Sequence, residues 1–248
     1  MNKKGFFIAL IAVSVGVILL AGRQGPSSNE AIAKSEPVET AATKVDSAEN
    51  STPIVKLKPK LDHDALSDAP LDSDYVMGSD DAPITLIEYA SLSCPHCAKF
   101  HTKTLPKLKK EYIETGKLRY ILRQFPLNES AMAGAMLVHC VGEKIGADRY
   151  YQFNDVLFSA QNKWAFDANF RESLKVFAEV GGVSAAQFDS CLNDGAREKR
   201  ILVSRKEGTG ELKVTGTPFI FLNGHPHGGN KSFKAVKKEI DYLLRNGG

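Results

Sequence analysis

Ser93-Cys94-Pro95-His96-Cys97 stands where a strand-like run, Ile84-Thr85-Leu86-Ile87-Glu88-Tyr89-Ala90, gives way to a helical one. The first run is apolar and rich in strand formers, which predicts a buried strand. After it, Cys97, His101, Leu105, Leu108 and Tyr112 recur at three- and four-residue spacing. That spacing predicts a helix with one apolar face, kinked at Pro106 and stopped at Gly116. Two thiols separated by two residues at a helix start are the arrangement that makes and breaks disulfides. The competing reading is half of a structural zinc site with His101 as a third ligand. Zinc sites usually need a second tight ligand pair, and none occurs at suitable spacing.

The reactive species in disulfide exchange is a thiolate, and an ordinary cysteine is mostly protonated at neutral pH. Cys94 is placed to ionise. It sits at the predicted helix N-terminus, where unpaired N–H groups and the helix dipole favour an anion, and His96 offers a nearby donor or partial cation. Stabilising the reduced thiolate makes the disulfide easier to reduce, hence more oxidising. Cys97, one turn further in and on the buried face, is the expected resolving partner.

A second strand, Leu118 to Phe125, follows Gly116, and strand–helix–strand implies a parallel pair with a right-handed crossover. From Asn128 to about Leu212 the pattern is helical only. Breaks fall at Gly146, Gly181-Gly182 and Asp194-Gly195, with Asn128, Ser184 and Asp194 as caps. Thr217 to Leu222 then reads as a short apolar strand, Asn223-Gly224 as a two-residue hairpin turn, and Ser232 to Leu244 as an amphipathic helix. His225 and His227 have some metal appeal, since alternate strand residues share a face. A solvated hairpin is the simpler reading. Trp164, the only tryptophan, reads as a packing residue.

This order, with Cys-x-x-Cys at the first strand-to-helix junction and Thr-Pro opening the third strand, resembles the thioredoxin fold. More closely, it resembles the DsbA-type periplasmic thiol oxidases. Ala82-Pro83-Ile84, Glu88-Tyr89, Ser93 to Cys97, Phe125-Pro126-Leu127 and Gly216-Thr217-Pro218 through Asn223-Gly224 carry the resemblance. They spread over the whole domain from Tyr75 onward. The expected fold class is α/β, a thioredoxin fold with an all-helical insertion at about 128–212. The resemblance implies a strongly lowered Cys94 pKa, with Pro95 and His96 part of the catalytic motif. It also implies a cis Pro218 facing the active-site helix, with Thr217 before it presenting backbone groups to substrate. Glu88, six residues before Cys94, matches an acidic residue the family keeps beneath the site. A buried carboxylate has a raised pKa and can accept the proton released when Cys97 attacks; otherwise Glu88 points outward from an incompletely buried strand. Some relatives carry a second cysteine pair in the insert, where Cys140 and Cys191 fall. A catalytic Cys94–Cys97 pair leaves them either a structural disulfide or two buried thiols. A DsbB-type membrane partner is the implied reoxidant. No cofactor or metal is expected, and no quinone or flavin site is visible.

Upstream, Lys3 and Lys4 precede eighteen uncharged residues, Gly5 to Gly22. At about 1.5 Å per residue they span roughly 27 Å, just short of the ~30 Å hydrocarbon core. Leu19 and Leu20 disfavour cleavage after Ala21 or Gly22, so residues 1–22 read as a signal anchor, with a cleaved signal peptide as the alternative. Residues 23–74 hold five prolines and neither an aromatic residue nor a cysteine. Such a stretch cannot offset its ordering entropy, so it is expected to be a disordered linker in which His63 is solvated. Residues 75–248 form one domain, placed in the periplasm and anchored to the inner membrane by residues 5–22. The net charge of +3 and 43% hydrophobic content name no partner, and no basic run with interleaved aromatics points to nucleic acid. The expected function is a monomeric protein-disulfide oxidoreductase that donates its Cys94–Cys97 disulfide to reduced exported proteins. Two alternatives stand beside it. One is a disulfide isomerase or reductase on the same scaffold; the other is a peptide-binding chaperone using the groove around Pro218.

Overall fold

The structure is a computed structural model and describes residues 74–247. The candidate membrane segment 5–22 and all but the last residue of the expected linker lie outside them. Among the described residues no helix is long and apolar enough to cross a membrane. Asp74, assigned to the linker from sequence, instead belongs to the domain: its buried carboxylate pairs with Arg123 at 2.8 Å.

Strand β1 (Val76–Met77) leads to β2 (Ile84–Ala90) and then to a helical run, α1. In α1 the α-helical pieces Pro95–Lys99 and Leu105–Leu108 alternate with π-helical turns at Phe100–Thr104 and Lys109–Ile113. Pro106 has no N–H to give to the preceding turn, so the ladder loosens around it. Gly116, at φ +70°, ends the run in a conformation that costs glycine little. Next come β3 (Leu118–Gln124), α2 (Glu129–Ile145), α3 (Ala147–Ser159) and a 3-10 turn at Gln161–Lys163. The insert closes with α4 (Phe170–Val180), α5 (Ala185–Leu192) and α6 (Gly195–Gly210). Then follow β4 (Phe219–Leu222), β5 (His225–Pro226) and α7 (Phe233–Asn246). Asn128 and Asp194 cap their helices through their side chains, and Ser184 forms a capping box with Gln187.

Among the described residues the sheet has five strands in the order β1-β3-β2-β4-β5. β2 and β3 run parallel, and β2 pairs antiparallel with β4. β1, too short to show a period in the sequence, adds an antiparallel edge to β3. All seven residues of β2 are buried, so the continuous apolar run is explained by coverage on both faces. Alternation decides what each face carries. Ile84, Leu86 and Ala90 pack with Leu118, Tyr120 and Leu122 in the larger core beneath α1 and the insert. Ile87 and Tyr89 pack with Ile121, Phe125 and Phe221 on the opposite face. Glu88 shares the parity of Leu86 and Ala90 and is therefore aimed into the larger core.

The hairpin departs from expectation in one respect. His225 is exposed, but His227 is 6% exposed, pairs with Glu239 through Nδ1 and approaches Asn230 O through Nε2 at 3.1 Å. It ties the turn to α7 instead of standing in water. Cys140 and Cys191, 51 positions apart, form a disulfide joining α2 to α5. Closing a loop of that length restricts the unfolded chain by about 4 kcal/mol. The double variant Cys140→Ala/Cys191→Ala is therefore expected to fold but to melt lower by on the order of 10 °C in a thermal denaturation experiment.

Candidate active site

Cys94 is the N-cap of α1 and Pro95 occupies its first turn, where a fixed φ suits the helix and the missing N–H costs nothing. The two sulfurs are present as free thiols, one turn apart, in unlike surroundings. Cys94 is 7% exposed and Cys97 fully buried. The Cys97 thiol, the Thr217 side chain and the backbone N–H groups of Cys97 and His96 together outweigh burial, and hold Cys94 down from 9.0 to about 5. Burial, the hydrogen bond with Cys94 and the nearby Glu88 charge push the Cys97 thiol up. His96, expected from the sequence as a nearby donor or partial cation, contributes through its backbone N–H, and its ring is exposed.

Thr217-Pro218 is a cis peptide. As a thiol, Cys94 Sγ donates to Thr217 O at 3.3 Å, which brings the strand-opening loop against the helix start. In the thiol form Thr217 Oγ1 is buried and makes no hydrogen bond among the described residues; it is on ionisation of Cys94 that this hydroxyl turns to the sulfur and helps hold its pKa down. Gln161 was invisible to sequence reasoning. Its Nε2 donates to Leu92 O at 2.8 Å and Cys94 O at 3.0 Å, so the insert holds the loop that carries Cys94. Trp164, also fully buried, donates to Leu157 O at 2.9 Å in the same layer.

Beneath the thiols lies a polar cluster in an otherwise apolar core. Glu88 Oε2 accepts from Tyr120 at 2.5 Å and lies 3.3 Å from His101 Nε2. His101 Nδ1 lies 3.3 Å from Asp155, whose side chain is 54% exposed. Burial alone would lower the His101 pKa, but the Glu88 charge and hydrogen bonds to Asp155 and Glu88 raise it to about 9. Both ring nitrogens of His101 thus face carboxylates, Nε2 that of Glu88 and Nδ1 that of Asp155. A buried charge costs several kcal/mol unless paired, and replacing such a pair with apolar residues is often neutral or stabilising. Stability is a poor reason for Glu88 to be there. The i,i+4 spacing of Cys97 and His101 was visible in the sequence. Asp155, which lies in the insert, gave no signal.

A family model described as Thioredoxin matches residues 71–242, and the chain belongs to that family. Within it, the chain belongs with the DsbA-type thiol:disulfide oxidoreductases. The crystal structure of α-DsbA1 of Wolbachia pipientis is 32% identical, with a TM-score of 0.68, covering 75% of this chain and 96% of that one. BdbD from Bacillus subtilis, at 19% identity and a TM-score of 0.65, covers 72% of this chain and 97% of its own, and shares the fold. A Rickettsia felis protein named "Putative protein-disulfide oxidoreductase" is 32% identical over 173 residues, 70% of this chain and 61% of that protein. The chain spans between 61% and 65% of the length of the curated Rickettsia relatives it matches.

Ultraviolet thiolate absorbance of the reduced protein should titrate with a midpoint near pH 5. In Cys94→Ser that transition should vanish, leaving no thiolate signal up to neutral pH.

Proposed function

We propose that this chain is an exported thiol:disulfide oxidoreductase working as an oxidant, donating its Cys94–Cys97 disulfide to reduced proteins. The observation that carries the reading is the unequal environment of the two sulfurs, with Cys94 held at about 5 and Cys97 pushed up. Lowering the energy of the reduced Cys94 thiolate makes the disulfide the oxidising member of the pair. A substrate thiolate attacks Cys94 Sγ, the Cys94–Cys97 bond breaks, and a substrate–Cys94 disulfide forms. Cys97 leaves with the electron pair and takes up a proton. A second substrate thiolate then attacks the substrate sulfur of the mixed disulfide. Cys94 leaves as a thiolate, the substrate is oxidised and the protein is reduced.

Glu88 is the group we assign to the Cys97 proton, giving it up when Cys97 leaves and accepting it when Cys97 attacks during reoxidation. Its charge is close enough to raise Cys97, and the His101–Asp155 contacts lead from it to the surface. Thr217 and cis Pro218 are assigned to the substrate backbone. Residues 5–22 are proposed as the inner-membrane anchor that places the domain in the periplasm, and a DsbB-type membrane partner as the reoxidant. Reduced exported proteins are the proposed substrates.

Because the folded pKa of Cys94 is depressed, its stabilisation of the reduced form is complete above the ordinary 9.0 and lost as pH falls through about 5. Reduced and oxidised protein are to be unfolded in parallel by denaturant across this range. The stability of the reduced form relative to the oxidised one should decline on acidification and level off below pH 5. The raised pKa of His101 has the opposite slope and acts only between its ordinary 6.5 and about 9, so the slope between pH 5 and 6.5 isolates Cys94. A flat difference would remove the basis for an oxidant and leave an isomerase or reductase.

Glu88→Gln should slow closure of Cys97 onto a Cys94–glutathione mixed disulfide by roughly a hundredfold, the usual share of a positioned acid or base. The Cys94 titration near pH 5 should persist, which separates lost proton transfer from a disturbed site.

A further inference from the structure

We propose that the groove beside Cys94 and Pro218 selects substrates by charge, taking reduced polypeptides whose residues flanking the reacting cysteine are acidic. This rests on the exchange reading above and specifies the substrate class of the same site. The groove has a volume of about 810 Å³ and runs between α1, the loop holding Thr217 and cis Pro218, and the start of α7. Its apolar lining comes from Phe100, Pro218, Phe219 and Phe233.

Five lysines line it and no aspartate or glutamate does. Lys99, Lys103 and Lys107 follow one another at four-residue spacing along α1, with Lys231 and Lys234 across the groove. They are not equivalent. Lys231 is anchored through Nζ to His227 O at 2.9 Å and Gly229 O at 3.0 Å, and Lys107 lies 5.6 Å over the Phe233 ring. Lys99, Lys103 and Lys234 are exposed and have no acidic partner among the described residues. Lys237, also on α7 but outside the groove, is by contrast balanced by Glu111 and Asp241. Lys99, Lys103 and Lys234 therefore bring unbalanced positive charge to the walls that meet at the cis-proline loop.

A polypeptide whose cysteine reacts at Cys94 has to pass Thr217, whose carbonyl is 3.3 Å from the sulfur. At about 3.3 Å per extended residue, its next few residues fall inside the groove. A carboxylate there lies within the screening length of about 8 Å at physiological ionic strength of several ammonium groups, and a lysine there meets the same field with the opposite sign. The apolar floor takes the intervening side chains without regard to charge.

The test uses the oxidised 248-residue chain and two-cysteine peptides identical except for Asp/Glu, Ser or Lys beside the cysteines. Rates of peptide oxidation, coupled to reduction of Cys94–Cys97, are normalised to each peptide's rate with uncharged hydroxyethyl disulfide. At low ionic strength the acidic peptide should exceed the basic one by about tenfold, and the gap should close to about twofold in 1 M salt. Lys99→Glu/Lys103→Glu/Lys234→Glu should invert the order. Equal normalised rates for the wild type, or an order that survives both salt and charge reversal, would overturn the proposal. A wild-type disulfide that does not react with dithiothreitol would instead defeat the exchange reading beneath it.

Discussion

Two sulfurs one helical turn apart meet opposite electrostatics, and the chemistry of the domain depends on that difference. Cys94 caps the helix start, where the backbone N–H groups of His96 and Cys97 have no helical carbonyl to serve and turn to the sulfur. Cys97 is already inside the helix, against the core, with a carboxylate below it. A helix N-terminus placed at the end of a buried central strand produces both environments within four residues. One sulfur then carries the charge of the reduced form while the other keeps its proton.

Holding that arrangement requires support from three directions. The insert reaches the Cys94 loop through Gln161, which bonds the carbonyls of Leu92 and Cys94. The loop before β4 closes on the sulfur through Thr217. The sheet contributes Glu88, which on its face of β2 is surrounded by residues with no solvent contact. The domain keeps a carboxylate there only because Tyr120 and His101 complete part of its hydrogen bonding and Asp155 completes that of His101. The insert therefore contributes two polar groups to the site, Gln161 and Asp155, besides its apolar packing.

The basic groove extends the same logic outward. Thiol–disulfide exchange asks little of a substrate beyond an accessible sulfur, so any choice among substrates has to come from the surfaces flanking that sulfur. Here those surfaces combine aromatic rings with lysines whose charge the domain does not neutralise.

Much of the plan was legible along the chain because its signals are local. The apolar strand runs and the helical spacing, the caps at Asn128, Ser184 and Asp194, the Asn223-Gly224 turn and the placement of two cysteines at a helix start all depend on neighbours within a few residues. The resemblance to the DsbA type, carried by motifs spread over the domain, pointed further, to Pro218 and to Glu88. What local patterning could not express was anything set by packing. A continuous apolar strand has no visible inward face, so the direction of Glu88 waited for both faces of β2 to be covered. His101, His227 and Asp155 look like ordinary polar residues in sequence, and their partners lie on other elements, 13, 12 and 54 positions away. The sequence by itself determined that there would be a helix-capping dithiol on a thioredoxin scaffold. Tertiary structure alone decided which backbone and side-chain groups surround each sulfur, because burial and electrostatic contact are properties of assembled surfaces.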